Sequence, residues 1–154
     1  METTFLFVKP DGVQRRLVGR ILSRLEDRGL QIVGLKLRTI SRELAEEHYG
    51  EHAGKPFFGR LIDYVTSGPV VQMAVRGLDA QSICRKMMGA TFCPDAVPGT
   101  IRGDFGISKA YNLIHGSDCL EAAERELGLF FDDGEVLSWT FRDEDSLINR
   151  AEES

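Results

Sequence analysis

In Asn112-Leu113-Ile114-His115-Gly116-Ser117-Asp118 an apolar run ends in a histidine, with a glycine directly after it. Ser117 and Asp118 follow, and both residue types start helices well. Neutral imidazole has an unperturbed pKa of roughly 6.5, so near pH 7 it keeps a free nitrogen lone pair and can act as a nucleophile. At a strand end, His115 could turn one nitrogen to a ligand while the protein holds the other. By itself the segment reads as a core or rim histidine ahead of an ordinary helix cap.

The chain of 154 residues suits one domain with one core. Hydrophobic residues make up 42% and charged residues 28%, the balance of a globular rather than a disordered chain. No apolar run reaches the roughly 18 residues of a membrane span. Met1-Glu2-Thr3-Thr4 is acidic and short, unlike a secretory signal. The three cysteines, Cys84, Cys93 and Cys119, show no C-x-x-C pairing and read as reduced thiols of a cytoplasmic protein. A net charge of -5 argues against nucleic-acid binding. A polyphosphate ligand would have to be met by a local group of cations.

Working outward, Thr4 to Lys9 reads as a strand ended by a turn at Pro10-Asp11-Gly12. Val18, Ile21, Leu22 and Leu25 share a helix face that Arg28-Gly29 closes. Gln31 to Thr39 alternates as a strand with one face wet or covered by something other than the core. Ser41 caps a helix bearing Leu44, Ala45, His48 and Tyr49, and Pro56 opens another bearing Phe58, Leu61, Ile62 and Val65. Val70 to Val75 is apolar enough to be a central strand. Asp79 is the expected cap of a helix through Met88. Ala90 to Ala110 reads as a long loop, which in a compact domain signals function or a hidden element. The strand Tyr111 to His115 follows, then a helix begun by Ser117 or Asp118 with Leu120, Ala123 and Leu127 inward. In the acidic tail, Trp139 and Phe141 are expected on the core. Alternating strands and helices indicate an α/β or α+β class, and pattern alone leans to a small doubly wound parallel sheet.

Neither a Walker A sequence nor G-x-G-x-x-G is present. Lys9, Arg85 and Arg102 each read as solvated cations unless the fold gathers them around His115. Beside them stand Val8-Lys9-Pro10-Asp11-Gly12-Val13-Gln14-Arg15, Pro56-Phe57-Phe58, Thr66-Ser67-Gly68-Pro69-Val70, Met88-Gly89-Ala90-Thr91, Pro98-Gly99-Thr100-Ile101-Arg102-Gly103-Asp104 and the His115 stretch. In order and approximate spacing these blocks resemble nucleoside diphosphate kinase, from about Thr4 to Trp139.

The resemblance implies an α+β, ferredoxin-like sandwich with a four-stranded antiparallel sheet covered by helices, over a single domain of residues 1–154. It matches least beyond about residue 140. It implies ping-pong transfer of a γ-phosphate from a nucleoside triphosphate to a nucleoside diphosphate, with Nδ1 of His115 as nucleophile. Glu126 would orient that histidine with help from Ser117, and Tyr49 would lie near Lys9 and His115. Lys9, Arg85 and Arg102 would meet the phosphates, Thr91 would add a hydroxyl, and Asn112 would bond the sugar together with Lys9. Phe57 would stack on the base, where its residue-level alternative is core packing. Stacking accepts every base, so broad base specificity follows. Mg2+ would be held by phosphate oxygens and water. Homo-oligomers, hexamers or less often tetramers, are implied as well. Cys119 stands where the family often has serine, and Lys109-Ala110-Tyr111 replaces a more usual glycine-containing stretch. A ferredoxin-like RNA-binding module would need a basic surface, which this acidic chain lacks.

Overall fold

The computed structural model describes residues 1–144. In chain order it runs β1 (Glu2–Val8), α1 (Pro10–Gln14), α2 (Val18–Asp27), β2 (Gln31–Thr39), α3 (Arg42–His48), α4 (Phe58–Val65), β3 (Pro69–Gly77), α5 (Ala80–Met88), α6 (Ile101–Phe105), β4 (Ile114–Gly116) and α7 (Leu120–Phe130). Single 3-10 turns cover Gly50–His52 and Cys93–Asp95. The four strands lie in the order β2-β3-β1-β4, and every neighbouring pair is antiparallel. This is the ferredoxin-like α+β arrangement, and it corrects the parallel sheet favoured by pattern.

The reason for that difference lies in the two middle strands. Leu6 and Val8 of β1 join Val71, Met73 and Val75 of β3 in one cluster under α2 and α5. Phe5 and Phe7 join Val70 and Ala74 in a second cluster under α3, α4 and α7. Helices cover both faces of β1 and β3, so both strands read as nearly continuous apolar runs, the signature otherwise typical of parallel sheets. Each fully buried Ile21 or Leu25 on α2 contributes roughly 1.5–3 kcal/mol of apolar burial. β2 is an edge strand, and Leu35 and Leu37 on it are 52% and 66% exposed. That agrees with the expectation of a strand face outside the core.

Several local readings change. Pro10 is the first residue of α1 rather than part of a turn, a position where its missing N–H is no loss. The long loop contains α6, capped by Thr100, whose Oγ1 accepts from the Gly103 amide at 3.0 Å. Asp79 precedes α5 in a left-handed conformation, φ 48°, and makes no capping bond. The Glu2 carboxylate accepts instead from the Gln81 amide at 2.8 Å. Cys119, not Ser117 or Asp118, caps α7. Leu120 is exposed, as are Trp139 and Phe141, which pack on each other 5.1 Å apart rather than in the core.

Gly116 has a packing role in this arrangement. A Cβ there would lie 2.5 Å from Met88 Sδ of α5, so the glycine lets the helix approach the strand that carries His115. Gly116→Ala should destabilise the fold by about 1–3 kcal/mol through overpacking. Combined with Met88→Ala, the loss in urea unfolding should be smaller than the sum of the two single changes. Additive losses would contradict the close approach.

Candidate active site

His115 lies in the middle of β4 opposite Phe7, whose ring stacks on it with centroids 5.0 Å apart. Its Nε2 is 3.0 Å from Oε2 of Glu126, a buried carboxylate on α7. Ser117 Oγ donates to the same oxygen at 2.5 Å. An ionised carboxylate only accepts, so the proton of neutral His115 belongs on Nε2, and Nδ1 keeps its lone pair. Burial lowers the His115 pKa more than the Glu126 hydrogen bond and charge raise it. Burial works to raise Glu126, but the bonds from His115 and Ser117 outweigh it and hold the group below its ordinary value. The pair is therefore a neutral imidazole on a carboxylate near pH 7.

Three cations bond the segment that carries this histidine. Lys9 follows β1, and its Nζ donates to Asn112 Oδ1 at 2.6 Å, while Asn112 Nδ2 donates to the Thr91 carbonyl at 2.9 Å. Burial, and then the charge of Arg102, push the Lys9 ammonium down to about 8. Arg85 on α5 donates to the Gly116 carbonyl at 3.2 Å and pairs with Asp118 at 3.1 Å. Buried Arg102 bonds the carbonyls of Asn112, Gly89 and Ile114 at 3.0, 3.1 and 2.6 Å. That uses three of its five N–H groups to bind the strand of His115 to its surroundings. The Thr91 side chain is exposed.

A file of rings leads outward from His115. Tyr49 is 6.4 Å from it, His52 is 6.3 Å from Tyr49, and Phe57 is 5.5 Å from His52. Phe57 is 43% exposed and so is not a core residue, and Lys55 Nζ lies over its ring, 5.8 Å from the centroid. The Tyr49 hydroxyl is buried without a hydrogen-bond partner, and burial raises its pKa.

Three residues of the site escaped sequence reasoning. Asp11 accepts from the Leu113 amide at 3.2 Å, and the Tyr64 hydroxyl donates to its other oxygen. Leu113 has φ +72°, a conformation that strains a branched residue, and it turns the chain into β4. Nothing in the sequence flags this long-range tie, since Asp11 sits in a segment that reads as a local turn. The third is His48, read as one member of an apolar helix face, which packs edge-on to His115 at 4.7 Å. Among the described residues His48, His115 and Glu126 bring three donor atoms within 4.8 Å of one another. That nitrogen-rich set does not suit Mg2+, which demands oxygen ligands.

A family model for nucleoside diphosphate kinase matches residues 2–136. The chain belongs to the nucleoside diphosphate kinase family. It is 58% identical to the nucleoside diphosphate kinase of Desulforamulus reducens over 139 residues, 90% of this chain and 93% of that one. With the enzyme of Archaeoglobus fulgidus the identity is 55% over 145 residues, 94% and 96% of the two chains. Among solved structures, a halophilic nucleoside diphosphate kinase from Halobacterium salinarum in complex with CDP is similar, with TM-score 0.93 and 52% identity. That match covers 96% of this chain and 99% of the other. The chain is thus a nucleotide-binding transferase that moves phosphate from a nucleoside triphosphate to a nucleoside diphosphate, by the family's ping-pong phosphohistidine route. No helix among the described residues is long and apolar enough to cross a membrane.

A buried ammonium bonded to a neutral amide should weaken the folded protein. Lowering Lys9 from 10.5 to about 8 corresponds to about 3 kcal/mol against folding with the proton on. In nucleotide-free protein, Lys9→Met should therefore be more stable than the native chain below pH 8. The gain is roughly 1 kcal/mol once the unpaired Asn112 oxygen is set against it. The unfolded chain holds this proton up to higher pH, so native stability rises between about 8 and 10.5 and the gap should close there. Urea midpoints against pH measure it. A native protein more stable than Lys9→Met at pH 7, or a gap that widens with pH, would contradict the assignment.

Proposed function

We propose that His115 is the phosphate acceptor of this kinase and that Nδ1 is the attacking atom. The observation that carries this is the hydrogen bond from Nε2 to Glu126 at 3.0 Å, which leaves Nδ1 as the nitrogen with a lone pair. In the first half-reaction the lone pair forms the N–P bond to the γ-phosphorus while the bond to the β,γ-bridging oxygen breaks and the nucleoside diphosphate leaves. In the second, an oxygen of an incoming diphosphate takes the phosphoryl group and Nδ1 recovers its lone pair. Such transfers depend on positioning and charge neutralisation more than on covalent chemistry.

Lys9, Arg85 and Arg102 supply the positive charge around the phosphates, since the protein as a whole is acidic. Thr91 adds a hydroxyl donor to the phosphates. Asn112, with Lys9, bonds the sugar, and Tyr49 lies against His115 on the side of Phe57. Glu126 and Ser117 are positioning residues for the imidazole. The exposed Phe57 stacks on the base, and stacking accepts any base, so discrimination between bases is expected to be weak. A nucleotide-using kinase of this kind requires a divalent cation. We assign Mg2+, with phosphate oxygens and water as its ligands, because Mg2+ keeps several waters and takes phosphates readily. Residues 1–154 act as one catalytic domain on nucleoside triphosphates and diphosphates, in the cytoplasm. Exposed Leu35 and Leu37 on the β2 edge support assembly into homo-oligomers, hexamers or less often tetramers.

Incubation with γ-labelled ATP and Mg2+ should label the protein through a bond that is lost in acid and survives alkali. An unlabelled nucleoside diphosphate should then release the label as triphosphate. Label that persists in His115→Ala would overturn the assignment. Glu126→Ala should bind nucleotide normally and transfer phosphate on the order of 10²-fold more slowly. Unchanged turnover would remove Glu126 from its role.

A further inference from the structure

Glu126 is engaged unequally. Its Oε2 takes both His115 Nε2 and Ser117 Oγ, at 3.0 and 2.5 Å. Its Oε1 has no bond of ordinary length, only Arg125 at 3.7 Å and Nδ1 of His48 at 3.8 Å. Arg125 is an exposed side chain, whereas His48 is 4% exposed. Among the described residues neither ring nitrogen of His48 has a hydrogen-bond partner. Leaving a buried imidazole unpaired costs about 1–3 kcal/mol, so an unpaired one beside the reacting histidine calls for a role.

The surroundings of His48 restrict what that role is. It is the last residue of α3, packed edge-on between Phe7, Tyr49, Phe130 and His115, with centroids 6.0, 4.3, 5.0 and 4.7 Å away. Burial, then the neighbouring His115, push its pKa down to about 3, so it carries one proton at any working pH. A neutral imidazole has a single N–H to give. Placed on Nδ1, that N–H faces the unoccupied lone pairs of Glu126 Oε1. A shift of under 1 Å turns 3.8 Å into a hydrogen bond. Contacts of this kind are often long in the empty enzyme and shorten once substrate is bound.

We propose that His48 is a positioning residue of the phosphoryl transfer: its Nδ1–H closes onto Oε1 of Glu126 and holds the carboxylate that sets the tautomer of His115. The carboxylate is then fixed at both oxygens, by α3 on one side and by Ser117 and His115 on the other. A carboxylate held at one oxygen can swing about its side-chain torsions and let the His115 proton move to Nδ1, where it blocks attack. This inference rests on the assignment of His115 as phosphate acceptor.

Two measurements test it. In 15N-labelled native protein, long-range proton–nitrogen spectra with ADP and Mg2+ bound should report the Nδ1–H tautomer for His48 and the Nε2–H tautomer for His115. His48 found with its proton on Nε2 overturns the proposal, whatever any variant does. Rapid-quench phosphorylation by saturating ATP should be slower by on the order of 10-fold in His48→Phe, with the KM for nucleotide within about twofold of native. His48→Asn, whose side-chain amide can donate from the same place, should recover most of the rate. If His48→Phe fails to fold, His48→Ala takes its place as the donor-free variant. A donor-free variant at the native rate, or an Asn variant no faster than it, overturns the proposal. Label that stays on His115→Ala marks instead a failure of the underlying assignment.

Discussion

The hydrogen bond between His115 and Glu126 joins the edge strand β4 to α7, and the proposed chemistry depends on it. Imidazole has two nitrogens and, when neutral, one proton, so a carboxylate that takes the proton at Nε2 dictates which nitrogen can attack. The pairing also explains how two ionisable groups share a buried site without charging each other. Burial keeps His115 neutral, and the bonds it shares with Ser117 keep Glu126 ionised. Loss of the carboxylate would leave the histidine in place and the proton free to move.

Placing that ring requires strain elsewhere. β4 has only three residues, too short to define its own register by hydrogen bonds to β1 alone. Leu113 enters it with φ +72°, held by the Asp11 carboxylate and by the Lys9 amide, which donates to the Leu113 carbonyl at 2.8 Å. Arg102 bonds the carbonyls of residues 112 and 114 from the other side. On the proposed assignment, Arg102 both meets substrate phosphate and holds the strand of His115, so substrate charge and strand position would be coupled through that side chain.

Much of this was legible from residue types. Glu126, Ser117, Lys9 and Arg102 were singled out together only through the family resemblance, since each has an ordinary surface or core reading alone. The helices with a clean 3.6-residue face, such as α2, lie where their periodicity puts them. What failed was two-sided burial: β1 and β3 are covered on both faces, and a strand without alternation carries no information about the direction of its neighbours. The helix α6 has only five residues and is capped by one threonine, so periodicity had too few turns to register. His48 was visible as a helix-face residue but not as a neighbour of His115, because residues 48 and 115 meet only through the packing of α3 against the sheet.

The atom that receives the phosphate is the most direct test. In protein labelled with 15N at its histidines and phosphorylated by ATP, coupling between 31P and 15N identifies the bonded nitrogen. A phosphate on Nδ1 of His115, with Nε2 still directed at Glu126, is the expected result. A phosphate on Nε2, or on any other residue, would contradict the account.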